Sequence, residues 1–435
     1  MVRHFFFMVL ILTAWGAFAQ TTPTKTLAVG FNKTFRARLP LDDFAKANTD
    51  LILKEVAWPR NVLRWYEPPL PQVHAELPVV FFVTAGSLSE DVRVLAERRL
   101  VATAEPVIKE ANCKPEDFAS GLLEAFSHEG VLYAIPYHLA VPTLRYNRAV
   151  FNGAGLLPKT SSWEELLAAA EPMLAKRGQP GPRRLFSAPY TRARLAEIMA
   201  LSAGAPPLDL ADPTFLTSAP YQKSLRLVID AVAANRIHLQ QANTPMRADG
   251  GIILGVDFVA SVEPDSEFGV AEMPTRVLAA DAPAETSRVP AVAEGLALRN
   301  FSPADRPQAV KLAQWLFSPE AEWRAFELSN PREPSKDWLL DSVHVPLHSP
   351  VLSSIDFEYG LRKFPDLALL RAHIAKAYVP KRPAALEARV WELVEAKIDY
   401  LKTGEDLGAA LAALEKEVRE LVRTTAVPSA AYAEY

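Results

Sequence analysis

Residues 118–156 read FASGLLEAFSHEGVLYAIPYHLAVPTLRYNRAVFNGAGL. The order of this stretch decides the fold. It reads as a helix, a short turn, a strand, a Pro136-Tyr137 crossover, a second strand and a helix. Upstream, residues 27–31, 51–56 and 78–83 read as strands, and the third is an unbroken apolar run, PVVFFV. Such a run is expected of a strand covered on both faces. Helical candidates lie between and after them, at 42–47, 61–66 and 89–97. This alternation of strand and helix predicts a mostly parallel sheet with helices on both faces.

Downstream, PKTSSWEEL at 158–166 is a helix start, with a hydroxyl cap followed by acids in the first turn. Trp163 in that turn is expected to pack in a core. Helices follow at 192–202 and 221–235. Residues 250–259 form an apolar strand, and FGVAEMP at 268–274 another. AEGLAL at 293–298 reads as a return strand. A helix at 303–318 leads to SPEAE at 318–322, where Ser318 caps and Pro319 suits the first helical position. Residues 329–338 read as an exposed loop. A last helical block is expected over 383–421.

A chain of 435 residues is too long for one ordinary core. Its composition is 49% apolar and 23% charged, with a net charge of −4, so no basic field marks a nucleic-acid binder. Proline is abundant and glycine scarce, at 36 and 18 residues, which argues against a flexible low-complexity chain. Residues 1–19 read as a signal peptide. Arg3 and His4 precede the apolar run 5–12, and Ala17-Phe18-Ala19 fits a cleavage site. No cysteine follows that site, so no lipid anchor is expected. The implied location is the periplasm. The one cysteine, Cys113, cannot form an internal disulfide or a cysteine-based zinc site.

The helix–strand–Pro-Tyr–strand order at 118–156 resembles the inter-lobe crossover of extracellular solute-binding proteins, family 1, the maltose-binding branch that feeds ABC importers. So do the runs at 77–86, 158–166, 268–274 and 293–322. The resemblance implies a two-lobed periplasmic-binding-protein fold of type II. Each lobe is then a mostly parallel sheet flanked by helices. The first lobe takes 20–139 with 295–342, and the second takes 140–294 with 343–435. Hinges are expected near 138–142, 292–296 and 341–346. The implied role is capture of a carbohydrate-like solute and its delivery to ABC permease subunits in the inner membrane, by a monomer without cofactor or nucleic acid.

Ligands in open α/β sheets sit beyond the carboxyl ends of strands. Thr84, Gly86 and Ser87 follow the third strand, where the family supplies hydrogen-bonding groups. Tyr137 adjoins the crossover. Pro189-Tyr190 matches a Pro-Tyr whose tyrosine stacks on ligand in the maltose-binding type, which marks Tyr190 as a ring for a sugar face. Asp257 and Phe258 lie on a strand-end turn, as an acceptor and a stacking face. Glu294, before Gly295, is an acceptor for hydroxyl protons. The chain departs from the family at Gly255-Val256-Asp257-Phe258, where a stacking tryptophan is usual.

No enzyme is expected. The eight histidines show no metal-ligand spacing, and neither a nucleophile elbow nor a phosphate loop is present. The acid pairs Asp42/Asp43 and Glu164/Glu165 are neighbours on helix starts and do not converge as glycosidase carboxylates must. Two alternatives stand beside the sugar reading. One is an anionic solute held by Arg192, Arg194, Arg247 and Arg288. The other is a signalling or interaction protein that kept the fold.

Overall fold

A computed structural model describes residues 25–31, 39–57, 77–85, 92–97, 99–111, 113–118, 121–155, 161–174, 184–239, 252–257, 262–300, 306–330, 343–379 and 384–425. The signal segment 1–19, the helix expected at 61–66 and most of the loop 329–338 lie outside the described residues. In chain order the strands are β1 (Lys25–Phe31), β2 (Leu51–Ala57), β3 (Val80–Ala85), β4 (Ser127–His128), β5 (Val131–Leu132), β6 (Ala134–Ala140), β7 (Thr143–Asn147), β8 (Arg184–Ala188), β9 (Ile237–Leu239), β10 (Ile252–Asp257), β11 (Phe268–Ala271), β12 (Val289–Pro290), β13 (Val292–Leu298) and β14 (Ala377–Tyr378).

Two five-stranded sheets result, ordered β2-β1-β3-β13-β6 and β11-β7-β10-β8-β9. In the first, β1 runs parallel to β2 and β3, and β13 runs against both β3 and β6. In the second, β8 runs parallel to β9 and β10, and β7 runs against both β10 and β11. Each sheet therefore holds one reversed strand. In each case it is the strand that arrives from the other sheet, because β7 follows β6 and β13 comes back after β11. Pro136, which has no N–H for a ladder, sits on the edge strand β6, where proline is tolerated.

Each sheet has its own core. The first gathers the apolar run of β3 (Val80, Phe81, Phe82, Val83) with Leu27, Val29 and Phe44. The second gathers Leu144, Phe186, Leu254 and Val256 with Trp163, Leu195 and Val390. Trp163 is wholly buried, and its indole N–H donates to Ser202 Oγ at 3.0 Å. The caps expected at Ser162 and Ser318 form, accepting from the amides of Glu165 and Ala321. These bonds satisfy donors that a helix start leaves open. The last helical block is two helices, Ala384–Asp399 and Leu407–Thr424, broken at a turn where Gly404 has φ of +89°. Gly404 sits in the turn that the Glu405 amide closes on the Lys402 carbonyl, and glycine adopts the left-handed conformation there without steric cost.

Around and after the third passage expected near 341–346, Val343, Val345, Leu347, Phe357, Leu367, Leu370 and Val379 pack in the first core, while Asp366 of the same segment bonds to Arg148 and to the Val270 amide of the second sheet; Leu386, Trp391 and Val394 pack in the second core. In the described strands, the first passage runs from Ala140 to Thr143, and the second from Ala271 to Val292.

Candidate functional site

Thr84, Glu294 and Asp257 lie near strand ends, the first two in the first sheet and the third in the second. Thr84, near the end of β3, lies directly opposite Glu294 of β13, and Glu294 lies opposite His138 of β6. Directly opposed residues of antiparallel strands share a face. The half-buried Thr84 and Glu294 are therefore side by side on the first lobe.

On the second lobe Asp257 ends β10, opposite Thr143, whose hydroxyl donates to the Asp257 carbonyl at 3.3 Å. Tyr190 precedes the helix Arg192–Ser202, whose start is capped by Thr191. The Tyr190 ring is partly exposed and rests on the second core. Its hydroxyl oxygen is enclosed and has no hydrogen-bond partner among the described residues. Burial, and then the nearby Asp257 charge, hold the phenol well above its ordinary pKa, so it is a neutral donor. Asp257 and Tyr190 are thus brought together. They offer an acceptor and part of an aromatic face, both of which a polyol ring uses.

Two candidates belong elsewhere. Tyr137 is fully buried in the first core. Its ring packs 5.7 Å from Phe82 and from Phe317, and 4.8 Å from His344. The cause is a β-bulge. Glu294 opposes His138 and Gly295 opposes Pro136, which leaves Tyr137 as the extra residue. Gly295 is also a packing residue. A Cβ there would lie 2.8 Å from Phe126 Cε1 and 3.1 Å from the Ile135 carbonyl oxygen. Gly86, Ser87 and Phe258 lie outside the described residues, as does Arg247.

The arginines suggested for an anion are engaged by the protein in two cases. Arg192 donates to the carbonyls of Asp399 and Leu401, both at 3.4 Å. Arg194 pairs with Glu197 at 3.0 Å and lies 3.9 Å over the Trp391 ring. Arg288 is exposed.

Sequence reasoning missed a buried polar cluster beneath the helix Pro365–Ala375. Arg148 Nη2 meets Asp366 Oδ2 at 2.6 Å, and the Val270 amide donates to the same oxygen at 2.9 Å. Arg145 lies buried beside them. The arginine in the apolar strand TLRYN was the available signal. It missed a second group as well: His344 Nε2 and Glu322 Oε2 share a buried hydrogen bond of 2.5 Å, and His138 stacks on His344 at 5.4 Å. Among the described residues no cluster of His, Cys, Asp or Glu is placed to hold a metal ion, and no helix is long and apolar enough to cross a membrane.

Two discontinuous α/β lobes, each with one reversed strand received from the other, define the two-lobed fold of the type II solute-binding proteins. Solved structures of that class are similar along nearly the whole chain. The sugar-binding protein MalE of Xanthomonas citri is 16% identical, with a TM-score of 0.68 over 92% of this chain and 98% of that one. The cyclic α-maltosyl-1,6-maltose binding protein of Arthrobacter globiformis is 16% identical, with a TM-score of 0.67 over 92% and 99%. UgpB of Mycobacterium tuberculosis, solved with glycerophosphocholine, is 15% identical, with a TM-score of 0.65 over 91% and 98%. No family model matches the sequence, and no curated protein matches it.

Proposed function

We propose that this chain is the solute-binding component of an ABC importer. It captures a carbohydrate-like small molecule between its lobes and delivers it to a membrane permease. The observation that carries the reading is the fold itself, two lobes exchanging reversed strands, with Thr84 and Glu294 at an edge of one and Tyr190 and Asp257 at an edge of the other. The pairs supply hydroxyl, carboxylate and ring contacts. The chain is secreted through residues 1–19, works as a free monomer in the periplasm and performs no covalent chemistry. Gly86, Ser87 and Phe258 complete the solute contacts. Closure brings the lobe rims into the arrangement that permease subunits recognise, so solute selects the docking state.

The related structures support a sugar, since two are described by the sugars they bind. The engagement of Arg192 and Arg194 within the protein also favours a neutral solute over an anion. The test is thermal unfolding of the secreted chain with maltose, larger maltodextrins, polyols and glycerophosphocholine. A ligand of the folded state at a hundredfold excess over its dissociation constant adds about 2.7 kcal/mol and raises the midpoint. A rise with a saccharide supports the reading. A rise with glycerophosphocholine alone, a zwitterionic phosphodiester, replaces it with the reading of a non-sugar solute.

A further inference from the structure

Arg145 is a cation in the middle of β7, and only 6% of its surface is exposed. Its strand neighbours explain how it fits. On one side it opposes Gly255 of β10, and on the other Val270 of β11. Gly255 has no side chain, so the space above it is open to the long arginine stem. Asp257, two residues on, shares that face and lies diagonally from Arg145, at the spacing of about 7–8 Å that long side chains bridge. The guanidinium also lies 5.4 Å from the centroid of the Phe268 ring, an attraction that strengthens when water is excluded.

The helix Pro365–Ala375, whose Leu367 and Leu370 belong to the first core, lies along the outer edge of β11. That helix carries Asp366 down to Arg148 and to the Val270 amide of the second sheet. The charges acting on Arg145 are, in order, Asp257, Asp366 and the like charge of Arg148. A buried guanidinium strongly favours nearby carboxylates, because their charge offsets the cost of its desolvation.

We propose that Arg145 is a positioning residue held in common by two carboxylates: Asp257, among the candidate solute groups, and Asp366, at the contact between the lobes. A solute that takes up Asp257 as an acceptor changes how Arg145 divides its charge. Asp366 and its bond to Arg148 then respond, so occupancy of the site is felt at the lobe contact through one side chain. The solute half of this inference rests on the proposed binding role.

Urea unfolding without ligand tests the shared arginine. In the wild-type background Asp257→Asn lowers the midpoint. In the Arg145→Met background the same substitution raises it, because it removes one of two carboxylates that have lost their common counter-charge. Arg145→Lys keeps the wild-type sign. The same sign in all backgrounds overturns the proposal. If Arg145→Met does not fold, the Asp257→Asn/Asp366→Asn cycle decides: a non-additive effect on the folding constant of threefold or more supports a common partner, and additivity overturns it. Maltose tests the solute half. Asp366→Asn, away from the candidate solute groups, is expected to change the maltose dissociation constant at least threefold, and an unchanged constant overturns that half. Failure of wild-type protein to bind maltose counts against the carbohydrate reading alone, since the urea cycle decides the role of Arg145 without ligand.

Discussion

Replacing Gly295 by alanine separates a packing role from a solute-contacting one. The added methyl would meet Phe126 Cε1 at 2.8 Å, Phe126 Cζ at 3.0 Å and the Ile135 carbonyl oxygen at 3.1 Å. Phe126 is fully buried, so its ring has no solvent to move into. Ile135 lies on β6 opposite Leu296, so its carbonyl cannot retreat without disturbing the β13–β6 ladder. Overpacking a filled core costs about 1–3 kcal/mol. The φ of Gly295 is not left-handed, so alanine also restricts the unfolded chain and returns about 0.4–1 kcal/mol. The expected net loss is about 1–2 kcal/mol, read as a lower urea midpoint by tryptophan fluorescence. Phe126→Leu removes the nearer clash, so the double variant loses less than the sum of the two single ones, with a coupling of about 0.5 kcal/mol or more. If Gly295→Ala leaves stability unchanged while weakening solute binding, the packing argument is wrong and the glycine is a contact after all.

Three further outcomes follow from buried groups. Trp163→Ala, which empties a wholly buried site and removes the hydrogen bond that Ser202 accepts, should cost about 3–5 kcal/mol in urea unfolding; a loss under about 1 kcal/mol would show that the site collapses freely. Burial, followed by the charges of Asp117 and Glu322, pushes the Cys113 thiol up to about 12, so an aromatic disulfide reagent at pH 8 should react only in denaturant; equal rates in native and unfolded protein would contradict its enclosure. Burial holds His373 below the ordinary histidine value, while its Nδ1 pairs with the Leu369 carbonyl at 2.8 Å. The unfolded chain then takes up a proton before the folded one does. The stability this group contributes is full above pH ~6.5 and falls as pH drops toward the lowered value, by up to about 1.4 kcal/mol for each pH unit crossed. His373→Gln should lose less stability than wild type over that window, and an identical loss would assign the pH dependence elsewhere.

The fold was legible because its signals are local and repeated. The unbroken apolar run of β3, the caps at Ser162 and Ser318 and the paired strands around the crossover each specify their element with little help from the rest. The strands β8 and β9 were not read, because RLFSA and IHL are too short for periodicity to distinguish from helix or loop. The sequence does not show which core the helices of 343–379 face, because packing alone decides that, and the segment meets both sheets. In the site, Asp257 beside Tyr190 and Thr84 beside Glu294 follow from strand ends, which the sequence marks. Tyr137 was assigned to the cleft because it adjoins the crossover, and nearness in sequence does not give the face of a side chain where the register shifts. The bulge opposite Glu294 and Gly295 interrupts it, and no residue type announces that. Arg145 and Asp366 are far apart in sequence, and their meeting depends on how one lobe's helix lies along the other's sheet.

The position of β13 has a consequence for the order in which the chain can fold. In the first sheet β3 and β6 do not touch, since β13 lies between them and supplies hydrogen bonds to both. A ribosome that has released residues up to 140 has therefore made four of the five strands without the one that joins them. The second sheet needs nothing beyond Ala271 and can close its ladder first. The N-terminal lobe is thus the later of the two to complete its sheet, contrary to the usual progression from the N-terminus during synthesis. Until Val292 to Leu298 emerge, the inner edges of β3 and β6 stay unpaired. A chain in that state is open along the apolar run of β3, the condition in which an unpaired strand edge is most exposed to pairing with another chain.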